Sequence, residues 1–370
     1  MKVAFRVDAS VQIGTGHVIR CLTLAEDLRR QGYQCLFICR NHEGNLADLI
    51  AQKDFEIHLL PSPEQSTMPA NNEPDLEHSC WLGVSWQTDA KQTLEVLGYH
   101  NIDWLIVDHY ALDAQWERLL AEAVGQIMVI DDLADRDHQC TVLLDQNVLG
   151  GDVKQRYEAK VNKGCELLLG PHYALLRPEY EMLARALPER DGKISRVLVF
   201  VGGSDPYHLT ECYLDTLRSK PFEHLFVDVV IGKNHPSPET VEQLVTNRSK
   251  TRLYCGLPSL SALMVRADLM LGAGGATNWE RMCLGLNCIV SSVARNQDEI
   301  NRELGAQDLI QFLGDAESLS MVEVYEAVKF ALEHPEYNRV QSNAMRTIVD
   351  GRGTQYASQT LKDVRDRVAS

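Results

Sequence analysis

The segment Gly14-Thr15-Gly16-His17 stands where an apolar, strand-like run gives way to an amphipathic stretch, which predicts a turn at the start of a helix. Backbone N–H groups at such a place point outward, and the positive end of the helix dipole favours an anion. The same dipole disfavours an imidazolium, so His17 would stay neutral and could act as a general base on water. The alternative is that His17 only hydrogen-bonds its own loop.

Polar residues also stand at the ends of two apolar runs in the first half of the chain. Arg6 and Asp8 end the first apolar run, and Asp108-His109-Tyr110 end a run that begins at Trp104. Open α/β sheets bind their ligands at the carboxyl ends of the strands, so these side chains face a candidate site. Asp108 or Tyr110 could orient a base or contact a sugar hydroxyl, but Asp108 could equally cap the next helix.

A second glycine-rich loop follows the apolar run 268–271 and precedes another helical pattern. Gly274 and Gly275 allow close approach of the backbone, and the amides that follow could hold a diphosphate without a metal. Glu280 could bind both hydroxyls of a ribose, or it could only complement the helix dipole. Gly203 belongs to another candidate phosphate loop, and Asn296 could contact a sugar or cap a turn.

The motifs of common cofactors are incomplete in this chain. The dinucleotide fingerprint needs a third glycine where Ile19 stands, and Cys39-Arg40 occupy the place of its acidic residue, which argues against NAD. Asp135-Arg136-Asp137 has the DxD spacing that some transferases use for a divalent metal, but it lies in a polar loop among other charges. We therefore expect neither a metal nor an organic cofactor.

Short apolar runs alternate with longer amphipathic stretches, a pattern typical of βα units around a parallel sheet. Two such series occur, and each opens as strand, glycine-rich loop and helix. The pattern predicts an α/β protein with two Rossmann-like domains that face each other across a cleft. We expect an N-terminal domain over 1–185, a linker over 186–192, a C-terminal domain over 193–315 and a helical tail over 316–370.

Composition excludes several classes of partner. The 370 residues include 36 basic and 52 acidic ones, and the net charge of −16 argues against binding to nucleic acid or to anionic lipid. No apolar run approaches the ~20 residues of a membrane span. Ten cysteines are scattered without a CxxC pair, as is typical of a reducing compartment. We expect a soluble, cytoplasmic monomer.

Taken together, these segments resemble the UDP-sugar hydrolases of pseudaminic acid biosynthesis, and they follow one another in the order of that family over roughly residues 1–310. The matching residues are Arg6-Val7-Asp8-Ala9-Ser10, Ile13-Gly14-Thr15-Gly16-His17 with Arg20, Asp108-His109-Tyr110, Ile130-Asp131-Asp132-Leu133-Ala134, Leu144-Asp145-Gln146-Asn147, Gly170-Pro171 with Tyr173-Ala174-Leu175-Leu176-Arg177, Gly202-Gly203-Ser204-Asp205, Gly272-Ala273-Gly274-Gly275-Ala276-Thr277 with Trp279-Glu280-Arg281, and Asn296-Gln297.

The resemblance implies a GT-B fold and metal-independent hydrolysis of UDP-2,4-diacetamido-2,4,6-trideoxy-β-L-altropyranose to UDP and the free sugar. It implies that His17 is the catalytic base, that Tyr110 and Asn296 lie beside the sugar, and that the second glycine-rich loop and Glu280 hold UDP. The residues expected to bind substrate are Arg6, Asp8, Gly14, Thr15, Gly16, Arg20, Asp108, Gly203, Gly274, Gly275, Ala276, Thr277, Glu280 and Gln297.

Two other functions remain open at this stage. The same fold and UDP site would serve a glycosyltransferase, although an acidic chain without a basic, apolar stretch does not favour a lipid acceptor. A non-catalytic sensor of UDP-sugars would need only the UDP half of the site, so the presence of His17, Tyr110 and Asn296 favours an enzyme. The tail after about residue 315 exceeds that of the shorter family members, and we expect it to pack back across the domains.

Overall fold

The computed structural model describes residues 1–63, 76–147, 154–203 and 205–369, without the side chains of residues 296, 368 and 369. The described chain divides into two compact units. Unit 1 contains residues 1–176 and 352–370, and unit 2 contains residues 177–351. No helix within these described ranges is both long and apolar enough to cross a membrane.

Unit 1 is built on a parallel sheet of seven strands, in the order β3-β2-β1-β4-β5-β6-β7. Its strands are β1 (Lys2–Val7), β2 (Gln34–Arg40), β3 (Glu56–Leu60), β4 (Ile102–Asp108), β5 (Val124–Ile130), β6 (Val142–Asp145) and β7 (Glu166–Leu169). The helices between them are α1 (Gly16–Arg30), α2 (Ala47–Gln52), α3 (Trp86–Leu97), α4 (Ala114–Leu120) and α5 (Gln155–Glu158), with 3-10 turns at Ser79–Leu82 and Pro171–Tyr173.

Unit 2 repeats this plan with a parallel sheet of six strands, in the order β10-β9-β8-β11-β12-β13. Its strands are β8 (Arg196–Phe200), β9 (Phe226–Ile231), β10 (Thr251–Cys255), β11 (Leu269–Ala273), β12 (Asn287–Ser292) and β13 (Gln311–Asp315). Its helices are α6 (Pro178–Ala186), α7 (Leu209–Leu217), α8 (Pro238–Thr246), α9 (Ser261–Arg266), α10 (Thr277–Cys283), α11 (Asp298–Ala306), α12 (Met321–Glu333) and α13 (Pro335–Ile348). Its 3-10 turns are Lys220–Phe222, Arg295–Gln297 and Ala316–Ser318.

Both sheets are buried on both faces, which explains why their strands are nearly continuous apolar runs. Along β1, alternate residues pack into two different core clusters: Phe5 belongs to one and Ala4 to the other. Helix α1 covers the first of these clusters with Leu24 and Leu28, and Gly32 follows the helix at a φ of 87°. The predicted α/β class with two Rossmann-like parallel sheets is therefore confirmed.

The strand order identifies where each sheet is suited to bind a ligand. In unit 1 the order reverses direction between β1 and β4, and in unit 2 it reverses between β8 and β11. Open parallel sheets bind ligands outside the carboxyl ends of the strands at such a reversal. The loop that contains His17 follows β1, and the Gly274 loop follows β11.

The helical tail divides between the two units. Helix α12 contributes Val324 and Val328 to the core of unit 2. The last helix, α14 (Gly353–Ala369), contributes Ala357 and Leu361 to the core of unit 1 beside α1. The chain therefore passes between the units twice, near residues 176–177 and 351–352.

The segment 186–192, expected as a linker, packs on unit 2. The Arg190 guanidinium donates hydrogen bonds to the carbonyl oxygens of Leu284 at 3.1 Å and Met264 at 3.0 Å. The proline, the glycine and the charged residues of the segment 186–192 are typical of a linker. The contacts of Arg190 with distant residues could not be predicted from the sequence. The chain enters unit 2 at residue 177, which is earlier than the expected domain boundary at residue 185.

Candidate active site

His17 and Asp108 meet at the carboxyl edge of the unit 1 sheet. Val7 at the end of β1 pairs with Asp108 at the end of β4, so the loop after β1 brings His17 to this carboxylate. The distance from His17 Nδ1 to Asp108 Oδ1 is 2.6 Å. Asp108 is fully buried, and the N-cap of α4 is Asp113, which accepts hydrogen bonds from the amides of Gln115 and Trp116. Asp108 therefore contacts His17 and does not cap α4, and a contact with a sugar hydroxyl stays a prediction.

Arg20 keeps the carboxyl group of Asp108 ionised. Its Nε lies 2.6 Å from Asp108 Oδ2, and its Nη2 lies 2.6 Å from Asp108 Oδ1. Burial raises the pKa of Asp108, but the charges of Arg20 and His17 outweigh burial and lower it below its usual value. An ionised carboxylate only accepts hydrogen bonds, so Nδ1 of His17 donates and the lone pair is on Nε2.

The glycine-rich loop before α1 is open beside the histidine. Gly14 adopts a φ of 80°, and its amide donates to the Ser10 carbonyl at 2.9 Å. Among the described residues, apart from the neighbours in the chain, no group lies within 4 Å of the position that a side chain would take at Gly14 or Gly16. Thr15 and Gly16 are exposed, and the first turn of α1 holds no acidic residue that would offset the helix dipole. The loop thus leaves space and positive potential beside His17.

Tyr110 lies against the histidine, and its hydroxyl is already bonded. The ring centroids of His17 and Tyr110 are 4.6 Å apart in an edge-on arrangement. The hydroxyl donates a short hydrogen bond to Asp132, whose other oxygen lies 3.0 Å from Arg20 Nη1. Burial and the charge of Asp132 raise the pKa of Tyr110 well above its usual value, so this group stays a neutral donor.

Arg6 and Asp8 are fully buried. Arg6 contacts Asp8 at 2.6 Å and also contacts Asp89, on α3, at 2.6 Å. Asp8 also accepts the backbone N–H of Arg40 at 2.6 Å. These bonds satisfy charges that would otherwise be costly to bury, and they tie the end of β1 to β2 and α3. The contacts indicate a positioning role, and a direct contact with substrate stays a prediction for both residues.

The loop after β11 brings the predicted unit 2 residues together. A side chain at Gly274 would collide with the Asn301 amide, and Gly275 adopts a φ of 98°. Ala276 is exposed and Thr277 is partly exposed at the start of α10. Gly203 follows β8, the strand that pairs with β11, and no group outside its own loop lies within 4 Å of its missing side chain. Two backbone loops that lack bulky side chains therefore follow neighbouring strands.

Two more predicted residues follow β12. Gln297 lies in the 3-10 turn Arg295–Gln297, where its Oε1 accepts the Val293 N–H at 3.2 Å. Its Nε2 lies 3.7 Å from the position that a side chain would take at Gly275. The side chain of Asn296 lies outside the described residues, so its role stays a prediction.

Glu280 occupies the partly exposed side of α10. Its carboxylate lies 3.7 Å from Arg177 Nη2, while Arg177 contacts Ser259 Oγ more closely, at 3.0 Å. Burial raises the pKa of Glu280, and a hydrogen bond from Tyr180 and the charge of Arg177 oppose that shift. The side chain is 20% exposed and keeps an acceptor available for a ligand hydroxyl.

Arg281 lies directly below this loop. It is fully buried, its Nη1 donates to the Ala273 carbonyl at 3.4 Å, and its Nη2 contacts Asn278. Its Nε has no hydrogen-bond partner among the residues that the structure describes. Burial lowers the pKa of this guanidinium, as expected for a cation that lacks a carboxylate partner. A buried positive charge at this position favours an anion at the loop.

Asp205, Glu211 and His235 form the metal-type grouping nearest in sequence to the Gly203 loop. The amide of Ser237 donates to His235 Nδ1 at 3.2 Å, so a neutral His235 carries its proton on Nε2, the nitrogen that faces the carboxylates. A protonated nitrogen cannot bind a metal. Asp205 accepts the amides of Leu209 at 3.0 Å and Thr210 at 2.7 Å, and so holds the loop against α7.

Asp135, in the DxD segment, pairs with Arg136 at 2.8 Å. Arg136 also lies 2.8 Å from Asp131, so its guanidinium joins two carboxylates. This ion pairing accounts for the spacing without a metal.

A proton is held among the carboxylates beside this site. The Tyr157 hydroxyl lies 2.9 Å from both Asp131 Oδ2 and Asp145 Oδ2, but one phenolic hydrogen can serve only one of them. Burial and the charges of Asp132 and Asp131 raise the pKa of Asp145 to about 8, so Asp145 is the protonated member. Burial lowers the pKa of His138, but the neighbouring carboxylates of Asp131 and Glu117 outweigh burial and raise the value to about 9.

These two groups predict that unit 1 loses stability as the pH rises. The folded state keeps the Asp145 proton up to about pH 8 and the His138 proton up to about pH 9, whereas the unfolded chain releases them near their ordinary values. The folded state therefore binds more protons over this interval, and the free energy of unfolding falls by about 1.4 kcal/mol per pH unit for each proton. Thermal unfolding at pH 6 and pH 8 should give a clearly lower midpoint at pH 8.

The variant Asp145→Asn is expected to reduce this dependence on pH, because the amide keeps a donor toward Tyr157 but carries no titratable proton. The exposed Asp137→Asn is the matched control and should follow the wild-type curve. An Asp145→Asn protein whose midpoint falls as steeply as that of the wild type would show that Asp145 does not hold the proton.

Comparison with known proteins gives relatives in sequence and in structure, although no family model matches the chain. An uncharacterized protein of Methanocaldococcus jannaschii is 24% identical over 312 residues, which cover 82% of this chain but only 57% of that protein. The UDP-2,4-diacetamido-2,4,6-trideoxy-β-L-altropyranose hydrolase of Campylobacter jejuni is 24% identical over 299 residues, 80% of this chain and 94% of that enzyme. The spore coat polysaccharide biosynthesis protein SpsG of Bacillus subtilis is 21% identical over 99% of each chain.

The structural relatives are GT-B proteins. MurG of Acinetobacter baumannii superposes with a TM-score of 0.67 at 11% identity, over 98% of this chain and 100% of MurG. Arabidopsis thaliana UGT89C1, in its complex with UDP, gives a TM-score of 0.66 at 11% identity, over 97% and 99% of the two chains. The protein therefore has the GT-B fold.

Within that class, the similarity to the Campylobacter hydrolase confirms the resemblance that the sequence motifs indicated. Among the predicted residues, Gly14 and Thr15 follow β1, Tyr110 follows β4, Gly203 follows β8, and Gln297 follows β12. Gly274 and Gly275 follow β11, and the roles of all these residues stay predictions. Asp132, which contacts Tyr110 and Arg20, belongs to a matching segment but was not among the residues expected at the site. Sequence reasoning missed the aromatic pair His78 and Trp81. Asp132 carried a signal, because it follows the apolar run of β5.

Proposed function

We propose that this protein hydrolyses a UDP-sugar to UDP and the free sugar, as a metal-independent enzyme, and that its substrate is UDP-2,4-diacetamido-2,4,6-trideoxy-β-L-altropyranose. The observation that carries this proposal is the pair of His17 and a buried, ionised Asp108, which leaves a lone pair on His17 Nε2 beside an open glycine-rich loop. The similarity to the Campylobacter enzyme of that name supports the choice of substrate. The reaction would then be a step of pseudaminic acid biosynthesis.

The proposed reaction is a single displacement with inversion. The oxygen of a water molecule forms a bond to the anomeric carbon, and the bond from that carbon to the diphosphate oxygen breaks with its electron pair on UDP. His17 Nε2 takes a proton from the water as the new bond forms, which is the usual work of a general base. Asp108 stabilises the imidazolium that results, because it already accepts the Nδ1 proton.

Unit 2 offers the groups that would hold the leaving group. Backbone amides of the loops at Gly203 and at Gly275–Thr277 would receive the charge that develops on the diphosphate, since they are fixed before the reaction begins. The buried guanidinium of Arg281 would add positive potential below the same loop. Glu280 would accept hydrogen bonds from the ribose hydroxyls, for which its partly exposed carboxylate is suited.

Independence from a metal is part of the proposal. Arg136 joins Asp135 of the DxD segment to Asp131, and a neutral His235 carries its proton on Nε2, the nitrogen that faces Asp205 and Glu211. Backbone amides and a guanidinium can stabilise the negative charge of the diphosphate in place of a metal ion. The alternative is a GT-B glycosyltransferase in which a hydroxyl of an acceptor replaces water, and it is favoured by the glycosyltransferases among the structural relatives.

The test is release of UDP from the altrose-configured UDP-sugar in excess EDTA, with the sugar product followed by NMR. Appearance of UDP together with the free sugar supports a metal-independent hydrolase. Activity that EDTA abolishes and Mg²⁺ restores would contradict the metal-independent part alone. Binding of the UDP-sugar without release would contradict hydrolysis, and a screen of hydroxyl acceptors would then separate a transferase from a sensor.

A further inference from the structure

Two aromatic side chains, Trp81 and Tyr110, lie beside the proposed base, and His78 packs against both of them. His78 and Trp81 come from a segment outside every motif described above. His78 and Trp81 lie around the 3-10 turn Ser79–Leu82, which precedes α3. The rings of Trp81 and Tyr110 stack with centroids 5.5 Å apart, and His78 meets Trp81 edge-on at 4.5 Å. Trp81 also meets His17 edge-on at 6.5 Å. His78, Trp81 and Tyr110 are called the aromatic shelf below.

Within the shelf, His78 and Trp81 are both partly exposed, and Trp81 offers the larger apolar ring face to a ligand. Tyr110 is 4% exposed, its hydroxyl is bonded to Asp132, and its ring is stacked on Trp81. Trp81 is itself partly exposed although it lies on this stack. The contact with a sugar that the resemblance assigns to Tyr110 would therefore pass to Trp81 in this chain.

The segment that carries Trp81 is held firmly by its neighbours. Leu82 is 2% exposed and belongs to the core cluster on one face of the unit 1 sheet. Gly83 adopts a φ of 72° and lies so close to Pro63 that a side chain there would collide with the proline ring. A fixed aromatic surface costs little conformational entropy when a ligand binds to it.

We propose that Trp81 forms the sugar-binding surface beside His17, and that it selects an acetamido-deoxy sugar by contact with the apolar face of the ring and its methyl groups. This inference rests on the proposed function. A deoxy carbon and acetamido methyl groups present C–H bonds, which pack well on the face of an indole, whereas a fully hydroxylated sugar would lose hydration there. The distance of Trp81 from His17 fits a sugar whose anomeric carbon is near the base.

The test compares Trp81→Ala and Trp81→Phe with the wild type, and Tyr99→Ala is the control because Tyr99 is 88% exposed and follows α3 at the opposite end of β4. The measurements are kcat and KM for UDP-2,4-diacetamido-2,4,6-trideoxy-β-L-altropyranose and the inhibition constant of UDP. In Trp81→Ala we expect KM to rise about 5- to 10-fold, because an aromatic contact and its buried area are lost. UDP inhibition should stay unchanged, and Trp81→Phe should recover most of the affinity.

Equilibrium binding separates this inference from the proposed function. If the wild type binds the nucleotide sugar more tightly than UDP but does not hydrolyse it, the proposed hydrolysis is wrong. The role of Trp81 in sugar binding is then tested by the affinities of the variants alone. An equal loss of affinity for UDP and for the nucleotide sugar in Trp81→Ala would contradict the proposed role of Trp81, since it would indicate general damage to the protein. An unchanged affinity of Trp81→Ala for UDP and for the nucleotide sugar would also contradict this role. The same holds if the wild type binds the nucleotide sugar no better than UDP.

Discussion

Replacement of His17 by alanine is expected to lower kcat for UDP release by about 10²- to 10⁴-fold, the usual contribution of a general base. The Nε2 lone pair that would receive the proton of water is lost, while Asp108 keeps both of its bonds to Arg20. The carboxylate is therefore not left unpaired, and the variant should fold. The measurement is kcat with saturating nucleotide sugar, together with circular dichroism and the affinity for UDP.

The affinity of His17→Ala for UDP should remain at the wild-type value, because the groups proposed to hold UDP belong to unit 2. His58→Ala is the matched control, since His58 is partly exposed on β3 and contacts Glu56 at 2.8 Å. It should retain full activity. Normal turnover in a well-folded His17→Ala protein would contradict the role of His17 as base.

The second large effect is expected for Asp108→Asn, with a loss of kcat that approaches about 10⁴-fold, the size found when an aspartate that orients a catalytic histidine is replaced by asparagine. The asparagine side chain has nearly the same shape but is neutral, and its amide can present an N–H group to Nδ1. That change would favour the tautomer with its proton on Nε2, which cannot accept a proton from water. Asp108 thus acts as a positioning residue.

Measurements of folding and of UDP affinity distinguish positioning from simple structural damage. A positioning role lowers kcat in Asp108→Asn and leaves the thermal midpoint, the circular dichroism and the affinity for UDP at the wild-type values. The control is Asp103→Asn at the other end of β4, where Asp103 accepts the backbone N–H of Lys2 at 2.6 Å. A fall in kcat that is accompanied by a lower thermal midpoint would show that Asp108 only maintains the fold.

The sequence was sufficient for the architecture, because a parallel sheet buried on both faces leaves a clear pattern. A strand before the loop that contains His17 and a helix after it were expected, and β1 (Lys2–Val7) and α1 (Gly16–Arg30) are found there. The glycine-rich loops were equally visible, since the apolar runs before them and the helices after them are regular. These features depend on neighbours in sequence, which is the information that a single chain supplies.

The pairing of residues distant in sequence could not be predicted. Asp108 had two open roles, and only the alignment of β1 with β4 brings it to His17 while Asp113 caps α4. Arg6 and Asp8 were expected at the substrate because they end a strand, but Asp89 and Arg40 pair with them in the interior. Trp81 gave no signal, because its segment has neither a regular period nor a motif.

Unit 1 consists of the two ends of the described chain, with unit 2 between them. During synthesis, residues 177–351 are added to the chain before α14, so the segment of unit 2 is made while unit 1 still lacks its last helix. Until α14 is added, the face of α1 that receives Ala357 and Leu361 lacks this partner, and Asp27 lacks the hydroxyl of Ser358, which binds it at 2.6 Å in the finished fold. The unit that carries the proposed base is therefore the last to receive all of its residues.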